Sequence, residues 1–292
     1  MMYTKKLQQY LNAPKWLYDN VIFEGMTGSV SYGVSNDASD MDIVGICIPP
    51  KETIFPHLGG HIPGFGTHPP KFEVYQQHHI KDNAKEYDLS IYSIVKFFQL
   101  AMENNPNMVD VLFTPRRCVL HSTPIYEHLR EHRTLFLHKG AWHKYKGYGY
   151  SQLSKARNKL SSNNPKRQSS IDMHGHDTKF LYHVIRLILE VEQILAEGNL
   201  DLERNSEILK SVRNGEWSLE RIEEWFQHKE KSLETLYVES TLRYTPDEGK
   251  IKQLLMECLE MHYHDLSDAI RIQPEVSQLV ADLQDLVSKY SR

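Results

Sequence analysis

From Gly28 to Asp42 the chain reads Gly-Ser-Val-Ser-Tyr-Gly-Val-Ser-Asn-Asp-Ala-Ser-Asp-Met-Asp. A Gly-Ser pair is followed, after ten residues, by an Asp-x-Asp that runs into the apolar segment Ile43-Val44-Gly45-Ile46-Cys47-Ile48. Side chains alternate along a strand, so Asp40 and Asp42 point to the same side. Two carboxylates at one strand end form a hard, anionic oxygen site. That site suits Mg²⁺, which accepts few carboxylates and keeps positions for water and phosphate. Gly28 lets the backbone turn and approach a ligand closely. Ser29 adds a hydroxyl and an N–H, and a helix beginning there would cradle a phosphate at its N-terminus. Neither fragment is specific alone. Together, each beside an apolar strand, they point to metal-dependent handling of nucleoside triphosphates, with Gly28 and Ser29 on the β/γ-phosphates.

Two-metal phosphoryl transfer needs ligands on both ions, hence a third carboxylate. Asp88 is the best candidate. It lies in Glu86-Tyr87-Asp88-Leu89-Ser90-Ile91-Tyr92-Ser93-Ile94, whose alternation predicts a strand leading directly into a helix. Glu73 is the competitor. The expected metal set is therefore Asp40, Asp42 and Asp88, holding Mg²⁺ or Mn²⁺, with Asp88 also able to accept a hydroxyl proton.

Other residues could bind a polyanion. Lys179, His183, Arg186 and Glu190 share one side of a predicted helix over 177–198 and form a polar stripe beside its apolar one. Lys179, His183 and Arg186 could grip a triphosphate or an acceptor phosphate. Residues 139–189 carry ten Lys/Arg against Asp172 and Asp177, a formal +8, although the whole chain is −4. Lys144, Tyr145, Lys146, Tyr148 and Tyr150 mix cations with rings that could stack on bases. His174, His176 and Asp177, with His262, His264 and Asp265, have ligand-like types. Capping of the next helix by Asp177 explains that cluster better than a metal centre or a His-Asp phosphohydrolase.

These residues must be positioned by a small domain and a larger helical one. The 292 residues suffice for two modest domains. Strands are expected at 21–24, 43–48, 71–80 and 86–93, the last two as a hairpin around Lys81-Asp82-Asn83-Ala84. Residues 49–70, rich in Pro, Gly and His, read as a loop and a candidate flap. Ile94, Phe97, Phe98 and Ala101 repeat at helical spacing, and Asn104-Asn105-Pro106 stops that helix. Beyond Pro115 the signals are helical, near 123–134, 139–161, 177–198, 204–213, 218–236, 247–265 and 274–290. The expectation is an α+β chain: residues 1–115 a small mixed sheet with the catalytic acids, residues 116–292 an all-helical substrate-binding domain. No apolar run is long enough for a transmembrane helix, and the first residues lack a signal peptide's apolar core. Three dispersed cysteines (Cys47, Cys118, Cys258) fit a reducing, cytoplasmic setting.

Gly28, Ser29, Asp40, Asp42 and Asp88 resemble the signature of the DNA polymerase β-like nucleotidyltransferase superfamily. The phrases around Tyr87–Ser93, Asn105–Phe113, Lys146–Tyr148 and His183–Leu187 are similar to its YcgL-type branch. That branch occurs in bacteria and phages, and some members are associated with RNA-repair gene sets. The resemblance implies transfer of an NMP from an NTP to an acceptor hydroxyl, with release of pyrophosphate. RNA or tRNA ends are the favoured acceptors. A protein hydroxyl or a small molecule such as an aminoglycoside is the alternative. A non-catalytic binding partner in a toxin–antitoxin or phage-defence pair is the rival from another class. The helical surface of residues 218–292 would allow a homodimer.

Overall fold

The computed structural model describes residues 2–35, 41–55, 57, 62, 71–83, 85–159, 161–264 and 283. Five strands, β1 (Val21–Met26), β2 (Met41–Cys47), β3 (Val74–Asp82), β4 (Lys85–Ser93) and β5 (Val119–Ser122), form one sheet in the order β3-β4-β2-β1-β5. β2 and β4 run parallel, and the other neighbours are antiparallel. Three one-turn helices, α1 (Tyr3–Lys6), α2 (Leu17–Asn20) and α3 (Lys51–Ile54), lie among the strands. α4 (Ile94–Met102) and α5 (Pro106–Leu112) follow β4. After β5 come α6 (Pro124–Glu131), α7 (Ala141–Asn158), α8 (Pro165–His174), α9 (Thr178–Glu197), α10 (Ser206–Arg213), α11 (Leu219–Glu239) and α12 (Glu248–Tyr263). The chain is thus α+β, a mixed sheet followed by a mostly helical region.

Local chemistry explains the boundaries. In β4, Tyr87, Leu89, Ile91 and Ser93 are buried while the residues between them are partly exposed, so the period-2 reading holds. Ser93 ends that strand and caps α4, its hydroxyl accepting from the Lys96 N–H at 3.2 Å. Asn104, with φ 52°, breaks α4, and Asn105 caps α5 with Pro106 in its first turn. Asp177 caps α9 through the Lys179 N–H at 2.9 Å, and Gly198 ends α9 in the left-handed region.

The sheet is covered on both sides. One side packs Ile43, Cys47, Ile80, Tyr87, Leu89 and Ile91 against Leu7 and Leu17 of the N-terminal turns. The other joins Phe23, Ile46 and Ile48 to α4, α5 and the helices beyond in one continuous core. α9 is the axis of that core, with Val184, Ile185, Ile188, Val191 and Ile194 fully buried.

Three departures from the sequence expectations stand out. β5 lies past residue 115, so the sheet takes one margin from the segment read as helical; its four residues are too short to show a period. α8 was not expected, because Pro165 reads as a breaker although it serves at the first turn of a helix. Residues 4–19, whose sequence reads as one short helix interrupted near Pro14, form instead α1, a 3-10 turn over Gln8–Tyr10 and α2. Residues 274–290, apart from Leu283, and most of the 49–70 loop fall outside the described residues.

Strand contact around Gly45 is tight. A Cβ there would lie 2.8 Å from the Phe23 carbonyl oxygen of β1 and 2.5 Å from Ile91 Cδ1. Gly45→Ala should therefore overpack the sheet and cost about 1–3 kcal/mol, read as a lowered urea midpoint with an unchanged slope.

Candidate active site between the sheet and the helices

Asp42 on β2 is the direct cross-strand partner of Asp88 on β4. Neighbouring strands lie about 4.8 Å apart, so the two carboxylates leave adjacent backbones on the same side. The side is set by the alternation of β4, which turns Asp88, Ser90 and Tyr92 to the helices and Tyr87, Leu89 and Ile91 away. Asp42, Val44, Asp88, Ser90 and Tyr92 share in lining a cavity of about 270 Å³ with Gly28, Asp110, His183 and Arg186.

Gly28 has φ +65° and opens a three-residue 3-10 turn after β1. A Cβ on it would stand 2.7 Å from Asp42 Oδ2. The glycine is thus needed twice, for its backbone angle and because the Asp42 carboxylate occupies the space of a side chain. The Thr27 N–H donates to the Asp42 carbonyl oxygen at 2.9 Å, tying the turn to β2.

Asp88 is held by an irregularity in β3. Gln77 pairs with Leu89 and Ile80 with Tyr87, so His78 and His79 together face the single residue Asp88. This is a β-bulge, with His79 at φ 56°. The His79 N–H donates to Asp88 Oδ1 at 2.8 Å, and His78 Nδ1 lies 3.3 Å from Asp88 Oδ2. The extra residue thereby aims two nitrogens at one carboxylate.

The helical wall is built on a buried ion cluster. Arg186 Nη1 of α9 donates to Asp110 Oδ2 of α5 at 2.5 Å, to the Tyr32 hydroxyl at 2.7 Å and to both Glu190 carboxylate oxygens at 3.3 Å. Tyr32, which follows the Gly28 turn, donates to Asp110 Oδ2 and lies under the guanidinium, 4.8 Å from it to the ring centre. Burial pushes the Glu190 carboxyl well above its ordinary range and raises Asp110, with the Arg186 charge opposing both. Burial also opposes the Arg186 charge, but Glu190, Tyr32 and Asp110 more than offset it. Asp110 Oδ1 and Arg186 Nε are buried with no partner among the described residues.

The positions expected from sequence fall into three groups. Gly28, Asp42, Asp88, His183 and Arg186 meet at the cavity. Ser29 adjoins Gly28, and Lys179 is exposed; neither is among the lining residues described. Asp40 lies outside the described residues. Arg186 and Glu190 are not a surface stripe: both are buried, and the guanidinium charge is spent inside the protein. His183 is held neutral, its pKa far below the usual value through burial and then through the nearby cations Arg186, Lys179 and Arg167. Asp110 and Tyr32 were missed. The signal was present, since Asp110 is the one acid within Met108-Val109-Asp110-Val111-Leu112-Phe113.

The basic segment is also largely consumed. Lys144 pairs with Glu103, Lys146 with Glu230 and Glu234, Arg157 with Glu223, Arg167 with Asp177, and Arg186 with its two acids. Lys139 is buried, donating to the Val238 carbonyl oxygen at 3.1 Å. Its +8 therefore overstates the charge shown to solvent. Asp177 caps α9 and pairs with Arg167, and no cluster of three metal-ligating side chains occurs among the described residues.

Residues 3–279 match the RNA repair pathway DNA polymerase beta family, RlaP. The chain belongs to this family. Family membership makes it a DNA polymerase β-type nucleotidyltransferase with an RNA-repair association. Among solved structures, the chain is similar to a nucleotidyltransferase-like protein from Exiguobacterium sibiricum, at 15% identity over 100% of this chain and 89% of the other, with a TM-score of 0.31. It is also similar to the spectinomycin adenyltransferase AAD(9) from Enterococcus faecialis with ATP and spectinomycin, at 14% identity over 87% of this chain and 97% of the other, with a TM-score of 0.35. No curated protein matches the chain. Among the described residues, no helix is long and apolar enough to cross a membrane.

Two outcomes follow from the wall. Arg186→Met leaves Asp110 and Glu190 buried without their cation and should cost about 3–5 kcal/mol in urea unfolding, whereas Tyr32→Phe removes one hydroxyl and should cost about 1 kcal/mol. His183 binds a proton near pH 6.5 only when unfolded, so its contribution to stability falls as pH drops below about 6.5, by at most about 1.4 kcal/mol per unit. The raised Glu190 and Asp110 act in the opposite direction. Comparing the wild type with His183→Phe isolates the histidine, and the wild-type protein should lose more stability between pH 7 and pH 5.

Proposed function

We propose that the cavity is the site of NMP transfer from an NTP to an acceptor hydroxyl, with pyrophosphate leaving. The observation that carries this is the direct pairing of Asp42 with Asp88 beside a glycine that leaves room only for the Asp42 carboxylate. The donor set fits a hard divalent cation, being two adjacent carboxylates with a third, Asp40, two residues before Asp42. Asp40, Asp42 and Asp88 would hold Mg²⁺ or Mn²⁺, which when bound supplies charge neutralisation at the triphosphate and lowers the acceptor hydroxyl's pKa.

The chain's own residues do the rest. Asp88, held by the His79 N–H, would accept the hydroxyl proton. Gly28 and Ser29 offer backbone N–H groups and a hydroxyl to the phosphates. His183, being neutral, acts as a hydrogen-bonding group in the cavity wall rather than as a cation. Arg186 orients Asp110 and Tyr32, and the exposed Lys179, four residues before His183 on α9, is available to a substrate phosphate outside the wall. The catalytic unit of residues 1–115, completed by β5, provides the acids, and the following helical unit provides the wall.

The favoured acceptor is an RNA or tRNA end. It agrees with the family's RNA-repair description and with the YcgL-type phrases of the sequence. A small cationic acceptor is the second reading. Asp42, Asp88 and Asp110 all line the cavity, and the guanidinium there is already neutralised by buried acids.

The test is label transfer from each α-³²P-NTP, with Mg²⁺ or Mn²⁺, to RNA, tRNA, DNA, protein and a cationic aminocyclitol. Label should enter one acceptor class, and Asp42→Asn or Asp88→Asn should lower the rate at least about 100-fold without lowering the melting temperature. Full transfer by Asp42→Asn would overturn the reading.

A further inference from the structure

α7 has two polar flanks, and the fold treats them differently. On one, Lys146, Tyr150 and Arg157 are bound by acids of α11. Lys146 Nζ lies 2.7 Å from Glu234, the Tyr150 hydroxyl 2.7 Å from Glu230 and Arg157 Nε 2.5 Å from Glu223. On the other flank stand Lys144, Tyr148, Gln152, Lys155 and Lys159. At about 100° per residue these fall within an arc of about 80°, and at 1.5 Å per residue the row is about 22 Å long. Lys144, Tyr148, Lys155 and Lys159 are all exposed. Among the described residues, Lys155 and Lys159 make no ion pair.

Two residues of this row touch neighbours of the cavity wall. The Tyr148 hydroxyl lies 3.5 Å from Asn105 Nδ2, and Asn105 caps the helix whose Asn107 lines the cavity. Lys159 Nζ lies 5.9 Å from the centre of the Phe180 ring, one turn of α9 before the cavity residue His183. Lys179 is exposed on the same turn. A hydroxyl that reaches Asp42 and Asp88 from this side passes along α7.

We propose that this flank of α7 is the track on which a single-stranded RNA acceptor lies while its end enters the cavity. The proposal rests on the nucleotidyl-transfer reading of the cavity. Lys155 and Lys159, with Lys179 at the margin, neutralise successive phosphates, while Lys144 is already paired with Glu103 at 3.5 Å. Tyr148 presents an exposed ring at the point where the strand turns inward, and a ring among cations suits bases, whereas an acidic peptide has nothing to stack. The opposite flank cannot serve, because its cations are already matched by carboxylates.

The experiment measures binding of a fluorescein-labelled single-stranded 12-mer RNA to the full chain by anisotropy between 50 and 300 mM salt. Magnesium-ATP binding is followed separately by calorimetry. The Lys155→Glu/Lys159→Glu pair should weaken RNA binding at least about 10-fold and reduce the salt slope by about 1.4. Tyr148→Ala should weaken it about 5-fold or more with little change in slope. Lys231→Glu, an exposed lysine of α11, should have no effect, and magnesium-ATP binding should persist in every variant. Wild-type RNA affinity in the Lys155/Lys159 pair, an equal loss in Lys231→Glu, or strong binding of a single-stranded DNA 12-mer run in parallel but not of RNA would overturn the track. Loss of RNA binding in the pair, in a protein whose wild type binds no magnesium-ATP, would support the track and overturn the reading of the cavity.

Discussion

One guanidinium holds the two halves of this molecule to each other. Arg186 sits on the central helix α9 and bonds to Asp110 from the segment after the sheet and to Tyr32 from the turn beside Asp42. An arginine without partners at that depth would cost far more than any packing around it returns, so its place is tolerable only with those acids fixed. The dependence runs both ways: burial raises the pKa of Glu190 and Asp110, and the Arg186 charge opposes that rise in each. The geometry of the turn at Gly28 is therefore maintained partly from the helical side, by a residue far from it in sequence.

This arrangement accounts for the character of the cavity wall. The charges nearest the acids are either carboxylates or cations matched by carboxylates. Negative charge dominates the inner surface, and exposed lysines lie outside it on α7 and α9. A phosphate chain approaching the cavity thus meets attraction at the mouth and a need for a counter-cation within. That division is what the proposed metal-assisted transfer would require.

Much of the acid-bearing side of the cavity was legible in the sequence because its logic is local. Alternation in 86–93 gives the side on which Asp88 lies, and Gly28 reads as a residue needed for a turn and a close approach. The fold adds the reason, a carboxylate 2.7 Å from where a side chain would begin. The helical side was legible only in outline. The stripe of Lys179, His183, Arg186 and Glu190 is correct as a set of positions on a helix, but periodicity cannot tell a polar residue facing water from one buried against a distant acid. Asp110 was the missing half of that information. Local charge counting failed for a related reason: most of the acids that neutralise residues 139–189 lie far away in the chain, Glu223, Glu230 and Glu234 on α11, Glu103 just after α4 and Asp110 on α5, so a count along the segment misses them.

The bulge at His78 and His79 has an effect beyond holding Asp88. β3 forms one margin of the described sheet, where unpaired peptide groups would otherwise offer a template to a neighbouring strand. An extra residue, a left-handed backbone and two exposed imidazoles break that row in its middle. The same local distortion that fixes an acid for chemistry also makes this margin a poor nucleus for strand-by-strand aggregation, so straightening it would put solubility at risk together with the site.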